Sequence, residues 1–518
     1  MPARAPAFLA LALASSLACV GGEVQREPVA PAVGVDEAVG TITEGDVLAR
    51  IGALAHDSMK GRDTPSPELE KAASWLAAGF DSFGLEPAGD DGTFLQRYPL
   101  PLRALDTASV HFGTVVEGEN RMLAHGSDFY VSPAAPFEDA AMGHGSLVWI
   151  GRVGTGGLAI GPEVDGQVAV VELKGDYDRE WRIGAARRAA EAAGARALLV
   201  VLGAEFPPDA IRRLAELSAR PRRVLVDPEE IPVFHLARDV ARGVLARGGV
   251  ELDTLPDEPE SPLVVRGVET HFAADARILE SANPPNVAAV LRGSDPLLAD
   301  TYVVLTAHYD HVGVGAADAT GDSIYNGADD DASGTAALVE VAEAFATLAN
   351  PPARSLVFLA VSGEEKGLLG SRWYSEHPTV PIQSIVANLN VDMIGRNAPD
   401  SIVAIGLEYS SLGSLVRRTA AENPDLGLAV APDPWPEQRF FFRSDHFNFA
   451  RHEIPALFFF AGVHEDYHRP SDEISKIDGD KTARVARLIF RTAFAVADAP
   501  EPPRWDPAGL AEVRALTR

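Results

Sequence analysis

Cysteine is almost absent: the 518 residues hold one, Cys19. With no second thiol, no intramolecular disulfide can form and no thiolate zinc site is available, so any metal must be held by His, Asp and Glu. Positive charge is also scarce, with 45 Lys plus Arg against 74 Asp plus Glu and a net charge of −29. A surface of that sign is repelled by phosphate backbones and anionic lipid, which argues against nucleic acid as a partner, and it keeps an exported protein soluble. Long apolar runs are missing as well. Only Phe8 to Leu17 is apolar enough for membrane contact, and it is too short to span a bilayer comfortably. No internal repeat is evident.

What is present suits a globular protein. The apolar fraction of 46% over this length supports two or three domains with real cores. The first residues read as an export signal: Arg4 is a minimal positive head, Phe8 to Ala14 an apolar body, and Ser15 to Ala18 a small-residue cleavage region. Cys19 sits where a lipoprotein signal places its acylated cysteine, although Ser16 and Leu17 reverse the usual large-then-small order. The expected location is therefore outside the cytoplasm, either as an outer or cell-surface membrane lipoprotein attached through a lipid on Cys19, or as a secreted or periplasmic protein. Residues 1–22 are assigned to this signal. Residues 23–42, with Pro28 and Pro31, are assigned to a flexible linker.

Ordered structure is predicted from Thr43, whose hydroxyl can cap a helix with Val47, Leu48, Ile51 and Leu54 on one face. Leu69, Ala72, Ala73, Leu76, Ala77, Phe80 and Phe83 predict a second helix, stopped by Gly84. From about Arg121 to Val268 the texture changes to short apolar runs between Gly-rich turns, such as Ser146 to Ile150 and Gln167 to Val171. A helix near Trp181 to Ala193 and the run Gly194 to Val201 follow. The run Val164 to Val171, this helix and the Gly194 to Val201 segment together resemble a protease-associated domain.

From Asn286 to about Ala497 strands alternate with helices. Candidate strands are Tyr302 to Thr306, Leu356 to Val361, Ile385 to Val391, Ile402 to Gly406 and Ala456 to Phe460, with a helix over Ser333 to Leu348. Near-continuous apolar strands of this kind indicate an α/β sheet covered by helices on both faces. Polar residues follow these strands: His308 and Asp310, Glu364 and Glu365, Asp392, and His468. Ligands of open α/β sheets bind beyond the carboxyl ends of the strands, so these distant segments can share one cleft. Gly327-Ala-Asp-Asp-Asp-Ala-Ser-Gly334 adds a fifth group.

Each motif has a bland reading by itself. His308-Tyr-Asp310 can be a surface turn, Asp329-Asp-Asp331 a solvated helix start, and Glu364-Glu365 an exposed pair. The aspartates can also be a calcium loop, but the alternating ligands and final Glu of an EF-hand are missing. Asp392 closes a buried-looking strand, where an unpaired charge is expensive. One cleft explains all five segments together.

In chain order the motifs are His-x-Asp, Gly-Ala-Asp-Asp-Asp-Ala-Ser-Gly, Glu-Glu-Lys-Gly-Leu-Leu-Gly-Ser, Asn-Leu-Asn-Val-Asp-Met, Arg-Ser-Asp-His and Tyr-His. This constellation strongly resembles the co-catalytic di-zinc exopeptidases of the bacterial leucyl aminopeptidase and aminopeptidase Y type, over about Asn286 to Ala497. The helical region Thr43 to Pro99, with Gly61-Arg62, resembles the family's amino-terminal part. The resemblance implies a zinc-exopeptidase fold with a mixed central sheet, divided into an amino-terminal part over 43–120, the protease-associated domain over 121–268 and the catalytic part over 269–500, ahead of a tail over 501–518. It also implies two zinc ions per chain. Asp330 would bridge them, with His308 and Asp392 on one ion and Glu365 and His468 on the other, leaving room for a bridging water. Asp310 would accept a hydrogen bond from the His308 ring, Glu364 would be the general base, Tyr467 would stabilise the oxyanion and Arg443 would lie near the substrate backbone. The family pattern selects His308 over His311 and His468 over His464.

The leading expectation is an aminopeptidase that removes amino-terminal residues from peptides. Within the same chemistry, a carboxypeptidase or dipeptidase stands as an alternative, and glutaminyl cyclase is disfavoured because ligands for both metals are present. A non-catalytic binding lipoprotein is the alternative from another class, opposed by the intact Glu364-Glu365 pair. Phe440, Phe441 and Phe442 can line an apolar pocket or serve as core and lid.

Overall fold

Helices begin where capping side chains stand. Thr43 Oγ1 accepts a hydrogen bond from Asp46 N at 3.2 Å and opens the helix Glu44–Leu54. Ser66 Oγ accepts from Leu69 N at 3.0 Å and opens Pro67–Ser82, with Pro67 in the first turn where its missing N–H costs nothing. The protein is described by a computed structural model over residues 33–131, 141–153, 157–174, 179–207, 209–225 and 231–517. The predicted signal and its Cys19 lie outside the described residues. Among the described residues, no helix is long and apolar enough to cross a membrane.

A nine-stranded mixed sheet forms the larger core. At its centre Ser355–Val361, Tyr302–His308, Ile385–Val391 and Ala456–Phe460 run parallel, in that spatial order. Pro285–Leu291 pairs antiparallel with Ser355–Val361 on one side, and Ser401–Ile405 antiparallel with Ala456–Phe460 on the other. The central strands are buried along their length, as near-continuous apolar runs require. Helices Glu44–Leu54, Pro67–Ser82, Ala332–Ala346 and Gly479–Ala497 cover one face through a common apolar cluster, with Phe345 and Phe490 stacked at 4.1 Å. Tyr374 and Phe449, from the short helices Leu369–Glu376 and His446–Ala450, join the cluster on the other face. This is the mixed α/β sheet covered on both sides that the sequence predicts.

A second sheet, eight-stranded, is built from the chain between the amino-terminal helices and Pro285. Val168–Leu173 and Ala197–Leu202 run parallel inside it, and helix Arg179–Ala192 connects them. Its strands extend from His111–Val116 to Leu263–Ala274, beyond the predicted limits of 121 and 268 at both ends. The long strand Leu263–Ala274 pairs with His111–Val116 as well as with Ala141–Val153.

Two terminal assignments are corrected. The predicted linker over 23–42 overlaps a helix, Val35–Thr41, in its described portion. Ala38, Val39 and Ile42 are buried there, and Val33 N donates to Thr347 O at 2.9 Å. These apolar residues, spaced for one helical face among Gly34 and Gly40, were masked by the flexible composition around them. The tail assigned to 501–518 contains the helix Pro507–Thr517. Val513 is buried against Phe458 and Phe460 in one cluster, and Arg514 pairs with Glu453 at 2.6 Å.

Candidate metal centre

The four parallel strands deliver the polar residues. His308 ends its strand, Asp392 directly follows Val391, and Glu364 stands three residues past Val361. Tyr467 and His468 lie in the turn after Ala456–Phe460, where Tyr467 stacks on His468 at 3.9 Å. Asp330 arrives from the turn before helix Ala332–Ala346.

That turn sorts the three aspartates. Asp331 caps the helix, accepting from Gly334 N at 2.9 Å and from Met393 N at 3.0 Å. Asp329 accepts from Gly395 N at 2.6 Å and Ser333 Oγ at 3.0 Å. Asp472 holds the turn from behind by accepting from Asp329 N and Asp330 N, at 3.0 and 3.2 Å. The outer two carboxylates each commit Oδ1 to backbone N–H groups, and their Oδ2 atoms, like that of Asp330, have no hydrogen-bond partner. Asp330 faces His308 at 3.3 Å, His468 at 3.1 Å and His311 at 3.7 Å.

Two groups of potential ligands result, each with its atoms within 4.8 Å: His308, Glu364 and Asp392; and His311, Asp330 and Glu365. His468 Nε2 joins the second, 3.0 Å from Glu365. His311, set aside in the sequence, lies 2.7 Å from Glu365. These contacts lack hydrogen-bond alignment: Asp330 Oδ2, Glu365 Oε1, Asp392 Oδ1, His468 Nε2 and both His311 nitrogens have no hydrogen-bond partner. Buried polar atoms are normally paired. Lone pairs that converge without bonding one another fit a shared cation, and the all-nitrogen-and-oxygen donor set suits zinc.

The electrostatics point the same way. Burial pushes the Glu364 carboxyl up, and Asp445, Glu365 and Asp392 add to this against the opposing His308. Burial would lower the His468 ring, but Asp330 and Glu365 override it and push it up to about 10. Burial likewise opposes a charged His308, which Glu364 and Asp392 nevertheless hold well above the usual imidazole range. Surplus carboxylate thus favours positive charge here.

Asp310 differs from expectation. Its Oδ1 is 3.7 Å from His308 Nδ1, whereas that nitrogen stands 3.2 Å from the Asp310 backbone carbonyl. The carboxylate is turned aside because Thr64 Oγ1 donates to it at 2.9 Å and Glu364 N at 3.3 Å. Sequence reasoning missed Thr64, Ser444 and Asp445. Ser444 Oγ donates to Asp392 Oδ2 at 2.8 Å and accepts from Asn390 Nδ2 at 2.8 Å, while Asn390 accepts from Thr306 at 2.6 Å. The signal for this chain was the pair of asparagines inside a buried strand. Asp445 is fully buried near the cluster, and burial pushes it up to about 7.

Beside His308, Asp330, Glu364 and Asp392, a pocket is walled by Met393, Phe440, Phe458, Phe460 and Val463, with Tyr467 and Arg443 on its polar side. The Arg443 guanidinium lies 4.9 Å over the Phe440 ring. Of the three consecutive phenylalanines, Phe440 lines this pocket and Phe441 packs on Tyr409 at 4.5 Å. His464 Nε2 sits apart from the carboxylates of Asp330 and Glu365, 3.2 Å from Asp329.

Residues 286–493 match the model of Peptidase family M28. A probable zinc metalloprotease of Pyrenophora tritici-repentis (strain Pt-1C-BFP) is 29% identical over 262 residues, covering 42% of this chain and 53% of that protein. Aminopeptidase YwaD of Bacillus subtilis (strain 168) is 28% identical over 205 residues, covering 37% of this chain and 40% of that protein. The chain thus spans about half the length of the curated relatives it matches, or less. Among solved structures, an aminopeptidase from Aneurinibacillus sp. strain AM-1 aligns over 92% of this chain and 98% of its own, with 18% identity and a TM-score of 0.48. The matched segment carries all the strand-end residues that converge on the cleft, so the similarity to Peptidase family M28 takes in the whole candidate site.

Proposed function

We propose that the chain is a zinc-dependent aminopeptidase that holds two zinc ions. The observation that carries this reading is the convergence of unpartnered imidazole and carboxylate atoms at the ends of the parallel strands, with Glu364 beside them. Asp330, His308 and Asp392 would hold one ion, and Glu365 and His468 together with Asp330 the other, with His311 2.7 Å from Glu365. When bound, the ions supply polarisation of the scissile carbonyl and acidification of a water. Glu364 accepts the proton of the attacking water and returns it to the departing amine, a role suited to a carboxyl already pushed up by its surroundings. Tyr467 donates to the carbonyl oxygen as charge develops on it, and Arg443 orients the peptide backbone at the pocket rim. The apolar wall favours an apolar first residue. On the strength of residues 1–22 the protein is exported, with Cys19 as its lipid attachment point, and the sheet between residues 111 and 274 is a protease-associated domain.

The test is metal content by elemental analysis together with hydrolysis of leucine p-nitroanilide before and after chelation. Two zincs and chelator-sensitive release are expected. Glu364→Gln should keep the metal and lose about 10²- to 10⁴-fold in kcat. Two zincs without release would move the reading to a carboxypeptidase or dipeptidase. No stoichiometric metal after reconstitution would sink it in favour of a binding protein.

A further inference from the structure

The inserted sheet carries a second set of metal-competent side chains, of a different chemistry. Across three neighbouring strand pairs, Met122 stands opposite Gly113, Gly113 opposite His271, and His271 opposite His144. In the adjacent row His111 stands opposite Ala273, and Ala273 opposite Met142. Residues two apart on a strand share a face, so three histidines and two methionines surround two small residues on one surface. The His111 and His271 rings are 5.9 Å apart. A Cβ at Gly113 would collide with the His271 ring and lie 2.9 Å from Met122 Sδ, so both side chains lean over the same glycine.

The donors are prepared for a ligand rather than for packing. His271 Nε2 lies 3.0 Å from Asn120 Oδ1, a contact that holds the ring's orientation, as outer partners of metal-bound histidines do. Met122 and Met142 are 51% and 76% exposed, although the chain has only 5 methionines. Glu269, next along this face, is engaged by Ser146 Oγ at 2.7 Å. A site of imidazole and thioether selects a soft monovalent ion over zinc, calcium or magnesium.

We propose that His111, His271 and Met122 form a binding site for monovalent copper, with His144 and Met142 at its margin. The test uses the full zinc-loaded chain carrying Cys19→Ser, which removes the only thiol, titrated with Cu(I) against bicinchoninate under anaerobic reducing conditions. One Cu(I) per chain is expected, with sulfur and nitrogen shells in copper X-ray absorption and zinc content unchanged. Met122→Leu, which preserves the shape of an exposed side chain, should abolish the sulfur shell, and His271→Gln should weaken binding about tenfold or more. A sulfur shell that survives Met122→Leu overturns the assignment. So does unaltered affinity in His271→Gln, or copper uptake matched by zinc release, which would place the copper in the peptidase centre.

Discussion

Replacing Arg62 with leucine should destabilise the core around the nine-stranded sheet by about 3–5 kcal/mol. Arg62 is fully buried, and its guanidinium donates to four backbone carbonyls: Tyr309 at 2.8 Å, Leu54 at 2.6 Å, Asn326 at 2.8 Å and Gly327 at 3.1 Å. It thereby ties the first helices to both turns that present His308 and Asp330. Burial lowers it to about 10, opposed by Asp310, Asp330, Asp331 and Asp472, so it stays charged at neutral pH. Leucine would leave four acceptors unpaired, at about 1 kcal/mol each or more, and remove the cation that offsets those carboxylates. The backbone compounds the effect, because Lys60, Gly61 and Arg62 all lie at positive φ, a conformation that persists only when its surroundings over-determine it. At Gly61 a Cβ would also strike the carbonyls of Tyr325 and Gly313. The assay is urea unfolding of the zinc-loaded chain followed by near-ultraviolet circular dichroism. Arg62→Lys, with its three donors at one point, should fall between wild type and Arg62→Leu. A loss under about 1 kcal/mol for Arg62→Leu would refute the argument, because it would mean the four carbonyls found water or other donors at little cost.

Three further outcomes are expected. His468→Ala should abolish hydrolysis and release zinc, whereas His464→Ala should leave most activity; equal zinc loss from both would reverse the choice between them. His311→Ala separates ligand from neighbour: loss of one zinc by elemental analysis would make it a ligand, and retention of both would leave it a supporting contact to Glu365. In the inserted sheet His235 is buried against Tyr130 at 4.3 Å, and burial lowers its ring to about 3. The unfolded ring takes up a proton near pH 6.5 while the folded ring stays neutral, so stability is full above that pH and falls as pH drops toward 3. At pH 5 the loss is about 2 kcal/mol, and His235→Phe should remove that slope from thermal unfolding between pH 7 and 5. An unchanged slope would mean that another group carries the acid limb.

The fold was largely legible where local chemistry and apolar patterning agree. Thr43 and the runs Ile385–Val391 and Ala456–Phe460 marked their elements because a capping hydroxyl and an unbroken buried strand are properties of a few adjacent residues. Val35–Thr41 and Pro507–Thr517 were not legible, since short helices framed by Gly or Pro declare themselves only through the core they cover.

The site divides along the same line. The sequence by itself determined which segments meet in the cleft, because carboxylates and imidazoles at the ends of apolar parallel strands have few other destinations. It also marked Asp330 among the three aspartates through the family pattern. Only the tertiary structure decided which way individual side chains turn. Asp310 faces Thr64 across 246 positions of sequence, Asp392 is oriented by Ser444 from 52 positions away, and His311 rather than His464 meets Glu365. Those orientations are set by hydrogen-bond partners supplied from distant parts of the chain, which no local pattern encodes.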